Sequence, residues 1–398
     1  MRIPSAASTS EMTPRERFLA AFEHRETDRV PIFDALNSPA LYRAKLGCEN
    51  FFSDGEPTVR LAKAIGFDAC LVYESTYTGL ISQRRDWLDD RRFRDELGVG
   101  YMVDPSSWPL AFPETPSLRN RDDWRKVTLP DPREPWRHEN IRSAIAAAHQ
   151  GNADDLAVVA GVRSAFAVLY ISMGVMDLSM SLYEDPDLIR EMSEAICEFW
   201  TQSALRAVEL GADAVFIAND MGMNDHTIIA PHMIRSLFMP ALKTQIQTIR
   251  ETGTRVILHT CGNVNAILPD LVDTGIDGLN NLQVLSGMDI ADIKRDFGDR
   301  LTLIGNVDST NIMSGNDPDR VESAVIETIR KASPGGGHIL ATDHSLHGGI
   351  PVSNIERFIA AAKKWGGYPL SLPDGPARGP HGTHRRKERS GPLNRQVR

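Results

Sequence analysis

Cysteine is scarce in this chain: Cys48, Cys70, Cys197 and Cys261 are scattered over 398 residues with no paired spacing. That argues against a disulfide framework and for thiols kept reduced in the cytoplasm. No run of about 18 apolar residues stands out, so no membrane span is expected. The first ten residues, MRIPSAASTS, lack the apolar core of a secretory signal. No Gly-X-Gly-X-X-Gly follows a first strand, which leaves a dinucleotide site without support. Apolar residues make up 41% of the chain, a somewhat low share, but the length still allows a large buried core. A soluble cytoplasmic protein is the expectation.

The formal charge of −9 is unevenly spread. From Ser371 onward Arg378, Arg385, Arg386, Lys387, Arg389, Arg395 and Arg398 face only Asp374 and Glu388, so the tail carries +5 and the rest −14. An acidic body speaks against nucleic acid as a partner. The tail, residues 371–398, is rich in Pro, Gly and Arg and poor in large apolar residues, and it is expected to be disordered. Residues 1–11 read as a flexible N-terminus.

Between them, residues 12–370 alternate between short apolar runs and helical patterns. Thr13-Pro14-Arg15-Glu16 has the form of a helix start, with a capping residue, proline at the first helical position and glutamate three residues after the cap. Apolar runs near residues 31, 71, 158, 216, 258, 280, 304 and 340 read as eight strands, continuous because both faces are buried. Eight βα units predict a single (β/α)8 barrel of the α/β class, with a doubly wound open sheet as the alternative. Residues 75–135 break the rhythm with charges, Trp87, Trp108, Trp124 and several prolines. They are expected to form an irregular, lid-like insertion after the second strand.

One stretch, Val256-Ile-Leu-His-Thr-Cys-Gly-Asn-Val264, starts as a buried strand and turns polar at His259. Side chains at i and i+2 share a strand face, so His259 and Cys261 project together and Thr260 turns away. An imidazole beside a thiol is a zinc-binding pair, or else a core cysteine next to a hydrogen-bonded histidine. In a barrel the C-terminal ends of the strands share one pocket. Those ends carry Asp34, Glu74, Asn219, Asp220, His259, Cys261, Gln283, Asn306, Asp308, Asp343 and His344. Any single Asp or Asn there could be a helix cap. Together they suggest a site, with His344 as the third zinc ligand and His347 as a weaker candidate. Three protein ligands leave a fourth position for substrate, which is the catalytic arrangement.

Several motifs in this order resemble the uroporphyrinogen decarboxylase superfamily, which includes zinc-dependent methylcobamide:thiol methyltransferases. They are Thr13-Pro-Arg-Glu-Arg17 with Asp28-Arg-Val-Pro31, Gly211-Ala-Asp-Ala214 with Asn219-Asp220, His259-Thr-Cys-Gly-Asn263, Gly305-Asn-Val-Asp308, and Gly337-His-Ile-Leu340 through Pro351. The decarboxylase proper carries an Arg-Gln-Ala-Gly-Arg motif after the first strand to grip a porphyrinogen. Here that region reads Phe33-Asp-Ala-Leu-Asn-Ser-Pro-Ala-Leu-Tyr42, with no arginine before Arg43. The resemblance therefore leans toward the methyltransferase branch, which uses His-X-Cys plus a later cysteine whose place His344 takes here. It implies one catalytic Zn2+ on His259, Cys261 and His344, and methyl transfer between a corrinoid protein and a thiol or other one-carbon acceptor. Asp220 or Asp308 would accept a proton or orient the substrate, and Asp343 would hold a ligating imidazole. Asp34, Glu74, Asn219, Gln283 and Asn306 would bind the small-molecule substrate, and a homodimer is compatible with the family. The alternatives are metal-free porphyrinogen decarboxylation and a non-catalytic partner subunit of a corrinoid protein.

Overall fold

The structure is a computed structural model that describes residues 12–48, 55–73, 86–103 and 111–374. The N-terminal segment 1–11, Glu74, parts of the 75–135 insertion and all but the first residues of the tail lie outside that range.

Thr13 caps the first helix, Pro14–Ala20, as its chemistry dictates. Its hydroxyl accepts from the Glu16 N–H (3.2 Å), and the Glu16 carboxylate accepts from the Thr13 N–H (2.9 Å). The strands are β1 (Leu36–Asn37), β2 (Ala69–Tyr73), β3 (Asp86–Trp87), β4 (Arg92–Arg94), β5 (Gly100–Val103), β6 (Ala111–Thr115), β7 (Ala157–Arg163), β8 (Ala214–Ala218), β9 (Arg255–His259), β10 (Gly278–Asn280), β11 (Thr302–Val307), β12 (His338–Thr342) and β13 (Leu346–His347). Seven of them form one parallel sheet in the order β12-β11-β10-β9-β8-β7-β2, each next to its neighbour in sequence along the sheet.

The continuous apolar runs are explained by two buried faces. Residues Ala69, Leu71, Tyr73, Ala157, Val159, Ala214, Phe216, Ala218, Ile257, Ile304, Ile339 and Ala341 pack together inside the curl, closed off by Phe18, Phe22 and Phe33. Their alternates, among them Cys70, Val72, Val158, Val215, Ile217, Val256, Leu258, Leu303 and Leu340, pack in the two other core clusters.

The expected first strand is where the structure differs. Val30–Phe33 makes an isolated bridge, Ile32 to Leu340, rather than a regular strand. Pro31 has no N–H to donate, and the Ile32 N–H goes to the Asp68 carboxylate (2.7 Å) instead of a backbone carbonyl. The segment nevertheless touches both edges of the sheet. Leu340 N–H donates to Pro31 O (2.8 Å) on the β12 side, and Asp68 N–H donates to Ile32 O (2.9 Å) just before β2. The result is a curled parallel sheet of seven strands with an extended segment between its edges.

Asp68, fully buried, organises that junction. It receives Arg17 Nη1 (2.6 Å) and both terminal nitrogens of Arg29 (2.8 and 2.9 Å), while Arg17 also holds Asp28 through Nε (2.6 Å) and Nη2 (2.6 Å). The Thr-Pro-Arg-Glu-Arg and Asp-Arg-Val-Pro motifs thus meet in one ionic cluster.

The insertion is more regular than its composition suggests. Strands β3–β6 form a four-stranded antiparallel sheet, and its Phe93, Tyr101 and Val103 are buried in the same cluster as Phe166, Leu169 and Met173 of the helix Ala165–Glu184. That helix is, among the described residues, long and apolar enough to cross a membrane by length and mean hydropathy, although Ser172, Gly174, Asp177, Ser179 and Ser181 break it up so that no continuous run of 18 apolar residues occurs. Ten of its side chains are buried within the protein, as in a core helix. It gives way at Asp185-Pro186 to a second helix, Pro186–Leu210, as the proline requires.

His338, on β12, shows the cost of a buried titratable group. Nδ1 meets Ser333 Oγ (2.7 Å) and Nε2 meets Gly305 O (2.8 Å), and burial lowers its pKa to about 4. Folded His338 therefore stays neutral where the unfolded chain, with an ordinary value near 6.5, takes up a proton. Its contribution is intact above about pH 6.5 and is lost as the pH falls toward 4, up to about 3 kcal/mol at 1.36 kcal/mol per unit. Denaturant titrations from pH 7 to 4 should show this loss in the wild type, with a smaller slope in His338→Asn. Equal slopes would contradict the assignment.

Candidate metal centre and substrate pocket

His259 is the last residue of β9, and it follows Ile257 on the inner face. Its Nδ1 lies 2.7 Å from Oδ1 of Asn280 at the end of β10. The Asn280 amide nitrogen points at Ile304 O (3.4 Å), which leaves the oxygen for the imidazole. Nδ1 therefore carries a proton, which leaves Nε2 as the nitrogen that faces the site. Nε2 sits 3.7 Å from Cys261 Sγ and 3.4 Å from Asp220 Oδ1. Ligand atoms of Asp220, His259 and Cys261 all lie within 4.8 Å of one another.

The loops behind these residues fix that triangle. Asp220 Oδ1 accepts the Cys261 N–H (2.9 Å), and Thr260, turned away from the pocket as the strand alternation requires, accepts the Met221 N–H through its hydroxyl (3.0 Å). Gly222 N–H donates to Cys261 O (3.1 Å) and Asn263 N–H to Met223 O (2.6 Å). Gly262, at φ +78°, passes so close that an added Cβ would lie 2.3 Å from the Gly222 carbonyl carbon. Only glycine fits this crossing.

Electrostatics separate the roles. Desolvation works against the Asp220 carboxylate, but the His259 side chain and the Cys261 N–H hold its pKa far below the usual range. Such a group is a weak base, suited to a cation rather than to taking up a proton. Burial, then the Asp220 charge, pushes the Cys261 thiol well above its ordinary value, so without a cation Cys261 is a poor nucleophile. Burial and the neighbouring His259 lower His344 to about 4, which keeps it a neutral imidazole. Its ring centroid lies 6.2 Å from that of His259, and its Nδ1 lies 3.0 Å from Ser345 Oγ.

A zinc ion fits the donors present. With bonds of about 2.3 Å to sulfur and about 2.0–2.1 Å to nitrogen or oxygen, a tetrahedral site spans about 3.5 Å from nitrogen to sulfur and about 3.3 Å from nitrogen to oxygen. The observed 3.7 and 3.4 Å match both edges.

The triangle opens on a cavity of about 170 Å³ lined by Phe33, Ala35, Asn37, Leu71, Tyr73, Arg163, Phe216, Ala218, Asp220, His259, Asn280, His344 and Ser345. The other expected site residues are placed differently. Asp34 stands behind the wall, accepting from Thr342 N–H (2.7 Å), Thr342 Oγ1 (2.8 Å) and Ala35 N–H (2.8 Å), and burial raises it to about 6. Asn219 Oδ1 accepts the Ala167 N–H (3.0 Å) in the first turn of a helix. Gln283 Oε1 accepts the Gly262 N–H (3.0 Å) and so braces the loop that carries Cys261. Asp343, raised by burial, accepts from Val284 N–H (3.0 Å) and Ser309 (2.8 and 2.6 Å). The residue that holds the His259 imidazole is Asn280, not Asp343. Asp308 caps the turn Ser309–Met313, and with Asn306 it lines a separate cavity between Ile290–Phe297 and Pro318–Ala332, outside the curl. His347 pairs with Asn37 across β1 and β13.

Arg163, Asn280 and Asn281 are site residues that escaped the sequence reading. β7 runs two residues beyond Gly161, which carries Arg163 to the pocket. Asn281 and Leu282 take positive φ (94° and 54°), and Asn281 Nδ2 thereby donates to Cys261 Sγ (3.1 Å) and lies 3.3 Å from His259 Nε2. Such strained backbone often marks a functional position, and the Asn280-Asn281 doublet at a strand end was its only trace in the sequence. Asn280→Ala should weaken metal binding about 10–100-fold by freeing the imidazole, as measured by chelator competition. An unchanged affinity would contradict the role given to Asn280.

The family described as uroporphyrinogen decarboxylase (URO-D) matches residues 97–365. The chain belongs to the uroporphyrinogen decarboxylase family. Within it, this chain is 24% identical over 377 residues to the methylcobamide:CoM methyltransferase MtaA of Methanosarcina barkeri, covering 89% of this chain and 99% of that one. It is 24% identical over 188 residues to a uroporphyrinogen decarboxylase of Chlorobium phaeobacteroides, covering 46% and 51%. A solved methyltransferase from Methanosarcina mazei superposes with a TM-score of 0.67 at 21% identity over 89% of this chain and 99% of its own, a likeness of fold. These relatives are enzymes of two kinds, and both kinds match over their full length: a uroporphyrinogen decarboxylase of Sodalis glossinidius is 24% identical over 374 residues, covering 88% of this chain and 96% of that one.

Proposed function

We propose that this member of the family is a zinc-dependent methyltransferase that moves a methyl group between a corrinoid carried on a partner protein and a small thiol. The donor triangle of Asp220, His259 and Cys261 carries this reading, supported by full-length similarity to a methylcobamide:CoM methyltransferase. We read the curled sheet with Val30–Asp34 as a closed (β/α)8 barrel whose strand ends hold the site.

His259, Cys261 and Asp220 would hold the ion, and His344 faces them from the next wall. A bound zinc supplies the positive charge that keeps a substrate thiol deprotonated at neutral pH. Asn280 fixes the His259 tautomer, and Asn281 directs an N–H at the Cys261 sulfur. Phe33, Leu71 and Phe216 give the cavity an apolar lining that limits water around a sulfur nucleophile. At about 170 Å³ the cavity lies below the roughly 300–1,000 Å³ of drug-sized ligand sites. Among the described residues, Arg163 is the single arginine lining it. A small substrate fits these dimensions and charges better than a porphyrinogen with many carboxylates.

The test is turnover with methylcobalamin as donor and small thiols as acceptors, following loss of the methyl–cobalt absorbance. Transfer that stops with chelator and returns with zinc is expected. Porphyrinogen decarboxylation by metal-free protein, without methyl transfer, would overturn the proposal.

A further inference from the structure

Asn281 touches the sulfur of the donor triangle without being one of the three donors. It is fully buried, and its Nδ2 donates a hydrogen bond to Cys261 Sγ (3.1 Å). The backbone holds it there at φ 94°, one residue past the end of β10, where Asn280 already orients the His259 imidazole. Positive φ is unfavourable for a residue with a side chain, though Asn tolerates it better than most. The methyl transfer proposed above poses a problem of selectivity at this sulfur. A substrate thiol would share one cation with Cys261, and two sulfurs on a tetrahedral zinc lie about 3.8 Å apart. A methyl donor that reaches one of them is therefore close to the other. If Cys261 took the methyl group, a carbon–sulfur bond would form and the carbon–cobalt bond would break, with its electron pair left on cobalt. Cys261 would end as a neutral thioether in place of an anionic ligand.

We propose that Asn281 is a positioning residue that keeps Cys261 from being methylated, by holding an N–H donor on its sulfur. This rests on the zinc methyltransferase reading above. A sulfur that accepts a hydrogen bond must give up part of it before its lone pair can attack carbon. Hydrogen bonds to ionised acceptors are the stronger ones, and losing part of such a bond on the way to the transition state slows attack by about 10-fold. The bond is built to last, since the amide is buried and its backbone is set by the turn after β10. An aspartate there would keep the shape of the side chain and lose the N–H, so the donor and the shape can be tested apart.

The experiment is alkylation of the zinc-loaded protein by methyl iodide, with no acceptor thiol present, followed by peptide mass spectrometry of Cys261. Sulfur takes the methyl group and iodide leaves. Cys48, which is also partly exposed, supplies the reference rate within each sample. Zinc content and melting temperature, measured before alkylation, report on the integrity of each variant. Asn281→Asp removes the N–H at constant shape, and Asn281→Gly removes the side chain while suiting the positive φ. Both are expected to be methylated at Cys261 about 10-fold faster than wild type, relative to Cys48. A wild-type rate in Asn281→Asp overturns the proposal, because the side chain would then protect by shape alone. Should Asn281→Asp fail to fold or to hold zinc, Asn281→Gly decides: a wild-type rate overturns the proposal and a faster one supports it. Failure of the methyltransferase reading shows separately, as absent turnover of every thiol with methylcobalamin by wild type, because the methyl iodide rates need no acceptor.

Discussion

Cys261→Ser protein is expected to purify with less than about a tenth of the wild-type zinc and to lose methyl transfer by about 10³-fold or more, since the only sulfur donor of the set is gone. Serine keeps the size of the side chain and the backbone hydrogen bond from Cys261 N–H to Asp220 (2.9 Å), so the loop should stay folded. The hydroxyl, however, ionises far less readily than a thiol and is a poor zinc ligand. The two buried cysteines outside the site serve as controls. Cys70 and Cys197 are buried in the packing, with their thiols raised by burial, and stand outside the donor cluster. Cys197→Ser should therefore leave metal content unchanged. Metal analysis together with methylcobalamin turnover decides the matter, and full zinc with full activity in Cys261→Ser would remove the basis of the site.

The largest effect on stability is expected at the ionic cluster that joins the edges of the sheet. Asp68 is fully buried and receives Arg17, Arg29 and the Ile32 N–H. Asp68→Ala would leave the nearly buried Arg17 guanidinium with only Asp28 and the Met12 carbonyl for partners, and would free the Ile32 N–H without a replacement. Breaking a buried pair on one side typically costs about 3–5 kcal/mol. Guanidinium titration followed by circular dichroism should show a loss of that size in Asp68→Ala, and a loss below about 1 kcal/mol would show that the cluster does not hold the junction. The same change should loosen Val30–Asp34, whose continuation carries Phe33, Ala35 and Asn37 into the cavity wall.

These two clusters also show what could be read in the sequence. The seven regular strands fall where the apolar runs lie, because a strand buried on both faces leaves an unbroken signature. The spacing of His259 and Cys261 predicted that both project to one side; the structure ends β9 at His259 and places Cys261 in the following loop, yet brings the two within 3.7 Å. Val30–Phe33 looked equally apolar but does not become a regular strand, since an aspartate 36 residues away takes the Ile32 N–H. No local pattern encodes a partner at that distance. Asp308 and Asn306 end a strand as the others do, yet they line a cavity outside the curl. Gly305, at φ +155°, interrupts the alternation just before them. Arg163 and Asn281 were missed for related reasons. One depends on where β7 ends, the other on a positive φ that the neighbouring loops select.

The central claim is that Asp220, His259 and Cys261 form a zinc site, and zinc K-edge X-ray absorption on the purified wild-type protein addresses it most directly. The account predicts about one zinc per chain, with one sulfur at about 2.3 Å and the remaining ligands nitrogen or oxygen at about 2.0–2.2 Å. Protein that takes up no zinc, or a zinc shell without sulfur, would contradict it.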